Sequence, residues 1–199
     1  MISKGAATRE AIVAAAEELL LESASEEAVS IRAVADAVGL TPPAIYRHFP
    51  DKHHLIFEVC NRQFARMADE VAAMAGATSD PLEAIAAAAR GYARFGLENP
   101  EHYRVMFMGH ADQTPEQYAD EKVMETGSFA FLVALVQEAI DEGALRPELR
   151  DALPLAHTLW AAVHGVVSLA VAKPNLPAPG VDEQLDAMLD VVLHGIARP

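Results

Sequence analysis

Only one cysteine, Cys60, occurs among the 199 residues. No disulfide can form within the chain, which fits a reducing cytosol and excludes a disulfide-stapled scaffold. Aromatic residues make up only 6%. Alanine is abundant, and that balance favours packed helices over a β-sandwich. An excess of positive charge is also missing: 15 Lys and Arg stand against 29 Asp and Glu, a net charge of −14. The chain as a whole therefore lacks the basic footprint of a general nucleic-acid binder. The longest apolar stretches carry His157, His164 or Ser168 and read as short of a membrane span. No apolar segment follows Lys4 at the N-terminus, so no signal peptide is expected. These absences together predict a soluble, cytoplasmic protein with no membrane partner.

Catalytic signatures are absent as well. There is no Gly-x-Gly-x-x-Gly, no P-loop and no His-Glu-x-x-His, and Gly165 and Ser168 make no nucleophile elbow. No enzyme, catalytic residue or cofactor is expected. Cys60 lies on an apolar helix face and reads as buried and inert. His53 and His54 are adjacent, so on a helix they point apart and cannot share a metal. His110 and Asp112 form a weak metal-like pair, better read as a solvated loop. No metal site is expected.

What the chain does have is helical punctuation. Thr8 reads as the cap of a first helix with Ile12, Ala15, Ala16, Leu19 and Leu20 on one stripe. Ser30 caps a short second helix that Gly39 ends. Thr41-Pro42 opens a third, with proline where a missing N–H costs nothing. Pro50-Asp51 stops it and caps a fourth, running to about Ala75. Asp80-Pro81, Asn99-Pro100 and Thr114-Pro115 repeat the same starting device, and Glu142-Gly143 is a stop. An apolar helix spans roughly Asp151 to Ala172, and the last runs from about Val181 to Ala197. The fold class is all-α: a three-helix helix-turn-helix head, residues 1–54, on a larger helical-bundle body, residues 55–199, with about nine helices.

Within the head, Val34, Ala35 and Val38 can bury against Ile45 and Phe49 across the tight turn at Gly39–Thr41. That is the layout of a helix-turn-helix, whose second helix enters the major groove N-terminus first. Charge must then be read locally. Residues 1–60 carry five basic and nine acidic side chains, but residues 41–54 hold Arg47 and Lys52 against Asp51 alone. Pro42 and Pro43 offer neither an N–H nor a long side chain, so base reading there is van der Waals contact, as with thymine methyls. Tyr46, Arg47 and His48 suit phosphate. Lys52 and the N–H groups of the fourth helix's first turn can meet one too. The Ser30 and Thr41 hydroxyls can reach the DNA backbone while capping their helices, and Arg32 can reach it from the second helix.

The run Leu40 to Leu55, LTPPAIYRHFPDKHHL, resembles the signature of the TetR family of bacterial regulators. Tyr46, the His48-Phe49 pair and Lys52 carry the match, and the resemblance covers residues 8–60. It implies a nine-helix fold, a symmetric dimer binding double-stranded operator DNA, and repression relieved by a small ligand. Position by position it implies that Pro42, Pro43 and Ala44 face bases, while Tyr46, Arg47, His48 and Lys52 face phosphates. The double proline is a variation at base-facing positions and leaves the operator sequence open. In the body, Leu159–Val166 resembles the Trp-His-Gly motif of one C-terminal subgroup of that family, as does Asn99–Phe107.

For the body, an apolar ligand pocket is expected from Phe64, Met67, Tyr92, Phe95, His102, Tyr103, Met106, Phe107, Phe129, His157, Trp160 and His164. The alternative for most of them is plain core. Ala161, Ala162 and Gly165 permit close helix approach, so the last two helices are expected to form an isologous homodimer interface. Such a dimer sets two recognition helices roughly 34–36 Å apart. The rival reading is a helical protein-interaction module without DNA binding.

Overall fold

The computed structural model describes residues 4–23, 29–108 and 127–198. Among the described residues there are nine helices: α1 (Lys4–Ser23), α2 (Ile31–Ala37), α3 (Pro42–Tyr46), α4 (Lys52–Ala75), α5 (Pro81–Glu98), α6 (Pro100–Met108), α7 (Gly127–Asp141), α8 (Ala152–Ala172) and α9 (Val181–Ile196). The expected helix start at Thr114 and the His110–Asp112 pair lie outside the described residues. The chain divides into two compact units. One comprises residues 1–63 and 101–112; the other comprises 64–100 and 113–199. The division thus falls inside α4, nine residues beyond the 54/55 boundary read from composition, and it assigns nearly all of α6 to the first unit.

In the first unit, α1 begins at Lys4, not at a Thr8 cap. The Thr8 hydroxyl donates to the Lys4 carbonyl at 2.9 Å, the i−4 back-bond that lets threonine sit inside a helix. Ile12, Val13, Ala16 and Leu20 form the buried stripe of α1. Ser30 caps α2 as its sequence position implies, its Oγ accepting from the Ala33 N–H at 3.1 Å. The exit uses Gly39 at φ +66°, a left-handed conformation that a Cβ disfavours. The Leu40 N–H then returns to the Ala35 carbonyl at 2.8 Å, closing the end of the helix.

Three polar links tie α1 to α4 within this unit. Arg9 donates twice to Glu58, at 2.9 and 2.8 Å, and its guanidinium lies 4.7 Å from the centre of the Phe49 ring. Arg62 donates twice to Glu10, both at 2.6 Å. Glu17 Oε1 accepts from Gln63 Nε2 at 2.8 Å and lies 3.0 Å from His102 Nε2 on α6. Gln63 and His102 are both buried, so one carboxylate oxygen gathers polar groups from two further helices.

In the second unit α5 packs on α7, α8 and α9, α7 packs on α8, and α8 on α9. Asp80 caps α5 by accepting from the Leu82 and Glu83 N–H groups, both at 2.9 Å. Asp151 caps α8 from Leu153 at 3.2 Å. Gly91 on α5 allows a close helix crossing: a Cβ there would lie 3.1 Å from Val71 Cα on α4. Helix α8 corrects one expectation. Its 21 residues are long and apolar enough to cross a membrane, because His157, His164 and Ser168 lower the hydropathy without adding charge. In the structure, Leu155, Ala156, Leu159, Val163, Val167 and Val171 form its buried stripe.

Candidate functional site

The helix-turn-helix places α3 at the surface after the Gly39 turn. Thr41 has extended backbone and precedes α3, but its hydroxyl makes no capping bond, contrary to the sequence expectation. The cap is built from its carbonyl instead, which accepts from Ala44 N–H at 2.8 Å and Ile45 N–H at 3.4 Å. Pro42 and Pro43 have no N–H to offer. The first turn of α3 therefore presents no unused main-chain donor, and any base contact there comes from side-chain surface. Helix α3 stops at Tyr46, earlier than the expected Pro50; beyond it the His48 N–H makes a tighter i−3 bond to the Ile45 carbonyl at 2.8 Å, and the Phe49 N–H reaches the same carbonyl at 3.0 Å.

Side-chain exposure then sorts the expected contacts. Pro43, Arg47, Thr41, Ser30 and Arg32 are exposed, Tyr46 is 52% exposed, and Pro42, His48 and Lys52 are half-buried. Ala44 is only 7% exposed. It sits beside the fully buried Ile45 on the inward side of α3, so packing takes a position that was expected to face bases. At the start of α4, Asp51 Oδ1 accepts from the His54 N–H at 2.9 Å and lies 2.9 Å from His54 Nδ1. These bonds, the backbone one first, hold the Asp51 carboxyl below the usual carboxylate range. The protein's own carboxylate thus takes a donor that was expected to meet phosphate alongside Lys52.

The second unit contains a small apolar cavity of about 40 Å³. Its walls come from Val71 on α4, Ile85 and Tyr92 on α5, Phe129 and Leu132 on α7, Trp160 and Val163 on α8 and Met188 on α9. Of the twelve residues expected to line a pocket, Tyr92, Phe129 and Trp160 do so. His164 stands behind two of them: its Nδ1 is 2.9 Å from the Tyr92 hydroxyl, and its ring centre is 5.6 Å from that of Trp160. Burial pushes the His164 imidazole below its ordinary value, which keeps it neutral. His157 is exposed but stacks at 4.6 Å on Phe129.

The other expected lining residues are elsewhere. His102, Tyr103, Met106 and Phe107 belong to the first unit, where His102 meets Glu17 and Tyr103 is fully buried, 4.7 Å from the Phe107 ring. Met67 and Phe95 are core side chains, and Phe64 is half-buried outside the cavity wall. Sequence reasoning missed the Glu17–Gln63–His102 cluster altogether. Its members are 46 and 85 positions apart, and no local spacing announces such a pairing. Among the described residues no group of three or more His, Cys, Asp or Glu could hold a metal ion.

A helix-turn-helix unit joined to a helical unit with an apolar cavity defines a DNA-binding regulator of the two-part, all-helical kind. Comparison with known proteins gives the family. Residues 12–59 match the bacterial regulatory proteins of the tetR family, and residues 85–193 match the Tetracyclin repressor-like C-terminal domain. The chain belongs to the TetR family and is a DNA-binding transcriptional regulator. The HTH-type transcriptional repressor KstR of Mycobacterium tuberculosis (strain ATCC 25618 / H37Rv) is 43% identical over 54 residues, 26% of this chain and 24% of that protein. The HTH-type transcriptional regulator YobS of Bacillus subtilis (strain 168) is 24% identical over 193 residues, covering 95% of this chain and 92% of YobS. A solved structure of a protein with unknown function from Rhodococcus sp. RHA1 superposes with a TM-score of 0.80 at 28% identity, covering 96% of this chain and 95% of that one. The Trp-His-Gly subgroup remains a resemblance carried by Leu159–Val166.

Proposed function

We propose that this protein is a cytoplasmic, homodimeric repressor that a small apolar ligand releases from its operator. One observation carries the reading: α4 bears Lys52 at its N-terminus and Val71, in the cavity wall, near its other end. A ligand that displaces the Val71 end acts on the same helix that begins at the DNA-facing surface. To swing the population from 99% bound-competent to 99% released, the ligand must prefer the released state by about 5.5 kcal/mol. The repressor sense follows KstR, whose name gives it as a repressor.

On this reading Pro43 and Pro42 meet base edges, and Tyr46, Arg47, His48 and Lys52 meet phosphates, with Ser30, Thr41 and Arg32 at the margin. The second copy covers α8 and α9. Ala161, Gly165 and Leu169 on α8 are half-buried or exposed, as are Ala187, Val191 and Gly195 on α9. Val191 is 71% exposed and a Cβ at Gly165 or Gly195 would meet nothing. Small and apolar residues on two adjacent helices are the surface that a four-helix isologous interface needs.

Mobility-shift assays on operator selected from a random DNA pool test the DNA side. Tyr46→Ala and Lys52→Ala should each lower affinity by about tenfold or more while leaving the helical circular dichroism unchanged. With Arg47 and Lys52 counted in both copies, log affinity should fall with log salt at a slope of about −3.6. A chain that selects no DNA sequence at all is a protein-interaction module instead.

A further inference from the structure

Building on the reading of Tyr46 to Lys52 as the phosphate-facing edge, we infer that operator binding takes up protons at His48, His53 and His54, so that the protein grips DNA more tightly as pH falls from about 8 to about 6. The grouping of these side chains carries the inference. Three of the chain's 8 histidines lie within residues 48–54. His53 and His54 are exposed, and His48 is half-buried. With neutral imidazoles, residues 41–54 carry Arg47 and Lys52 against Asp51, a net charge of +1. With all three imidazoles protonated the same stretch carries +4. A chain of net charge −14 repels phosphate at long range, so a local gain of this size weighs heavily in its attraction to DNA.

The Asp51–His54 pair, 2.9 Å apart, adds a second element. While His54 is neutral, the Asp51 carboxylate stands uncancelled at the end of α4 where a phosphate would dock. A proton on His54 turns the two into an ion pair and removes that repulsion. His53 sits in the same first turn, beside Lys52. One helical turn rises about 5.4 Å, inside the screening length of about 8 Å at physiological salt, so these charges act together on one phosphate. The charged groups packed against this corner do not compete for the proton. Arg9 comes from α1, lying on the Phe49 ring, with its partner Glu58 on α4. Helix α2, packed on α3, carries Arg32 and Asp36. Guanidinium and carboxylate groups do not ordinarily titrate between about pH 6 and 8, and Asp51 and Glu58 are held lower still by their hydrogen bonds. The charge that changes in this range is imidazole charge.

The test follows fluorescence anisotropy of labelled operator, selected from a random DNA pool, with the full-length protein at about pH 8, 7 and 6. A phosphate beside an imidazole favours its charged form by about tenfold, so one such imidazole in each copy should tighten binding by about 20-fold or more across that range. The slope of log affinity against log salt should steepen by about 1.8 or more, about 0.9 for each of the two new phosphate contacts. His53→Gln/His54→Gln should bind like the wild type at about pH 8, where imidazoles ordinarily carry no proton, and should gain less on acidification. Adding His48→Gln should remove nearly all of the gain, with far-ultraviolet circular dichroism checking that each variant is folded. Asp51→Asn keeps an acceptor for the helix cap and should tighten binding at about pH 8; no change there overturns the part given to the Asp51–His54 pair. A wild-type affinity that changes by less than about twofold over the range overturns the proton linkage and leaves the phosphate-facing assignment standing. A gain that survives intact in the triple variant puts the proton elsewhere, His102 included, and also overturns the linkage. A chain that binds no DNA at any of these pH values overturns the linkage and the assignment together.

Discussion

Replacing Glu17 with alanine probes the junction of α1, α4 and α6. Its Oε1 is the shared acceptor for Gln63 Nε2 at 2.8 Å and for His102 Nε2 at 3.0 Å. Gln63 is 2% exposed and His102 is 8% exposed, so both groups meet the carboxylate away from bulk water. A buried polar group that loses its partner costs about 1–3 kcal/mol, which for two groups gives about 2–6 kcal/mol. The Glu17 side chain is itself 22% exposed, so water can follow into the gap and hold the loss near the lower end, about 2–3 kcal/mol. For a chain of this length that lowers the melting temperature by roughly 5–10 °C. Thermal and urea unfolding followed by far-ultraviolet circular dichroism measure it. Glu17→Gln keeps one carbonyl acceptor and should lose about 1 kcal/mol. Adding His102→Ala to Glu17→Ala should cost less than His102→Ala alone, since the pair is already broken. The reasoning is refuted if Glu17→Ala loses under about 0.5 kcal/mol, or if alanine and glutamine are equally disruptive.

Three further outcomes follow from the same geometry. Gly91→Ala should destabilise the second unit by about 1–3 kcal/mol, because its Cβ would sit 3.1 Å from the Val71 main chain, which cannot rotate away; chemical denaturation watched through Trp160 reads this. Val191→Glu should convert dimer to monomer in sedimentation velocity, while an unchanged dimer would place the interface elsewhere. Acid stability depends on Glu58, whose carboxyl Arg9 holds below its ordinary value of 4.5, chiefly by their hydrogen bond. Its contribution is complete above that value and is lost as pH falls through the lower folded-state value, since only then does the folded carboxylate take up the proton that the unfolded chain already binds. Partial exposure of the pair limits the effect to about a few tenths of a kcal/mol, and Glu58→Gln should flatten the pH dependence of the melting temperature in that window.

The helix boundaries were largely legible in the sequence because they depend on near neighbours. Asp80-Pro81, Asn99-Pro100, Asp151, Gly39 and Gly143 each mark an end that their own backbone and side chain create, and the structure puts helix ends at each. The recognition segment was legible for the same reason. Thr8 and Thr41 misled, since a threonine hydroxyl has more than one local acceptor or donor and the sequence does not rank them. Ala44 misled because a small residue fits an inward or an outward position equally well. The cavity was only partly legible. Aromatics at helical spacing marked Trp160 and His164, but nothing near His102 says that it meets Glu17 on α1, or that Tyr103 beside it belongs to the first unit. That allegiance is set by Glu17, 85 positions away, and only folding brings the two together.

The first unit is discontinuous, and this constrains anyone who would graft its operator preference onto another effector body. A chimera joined at residue 54 cuts α4 after its third residue and discards Val59 and Gln63, together with His102 and Tyr103 from α6, all of them buried side chains of the DNA-binding unit. A working exchange has to carry two separate stretches of chain, one ending near Gln63 and one beginning near Glu101. The exchangeable module is therefore set by which side chains share a core, and it is larger than the helix-turn-helix by half of one helix and nearly all of another.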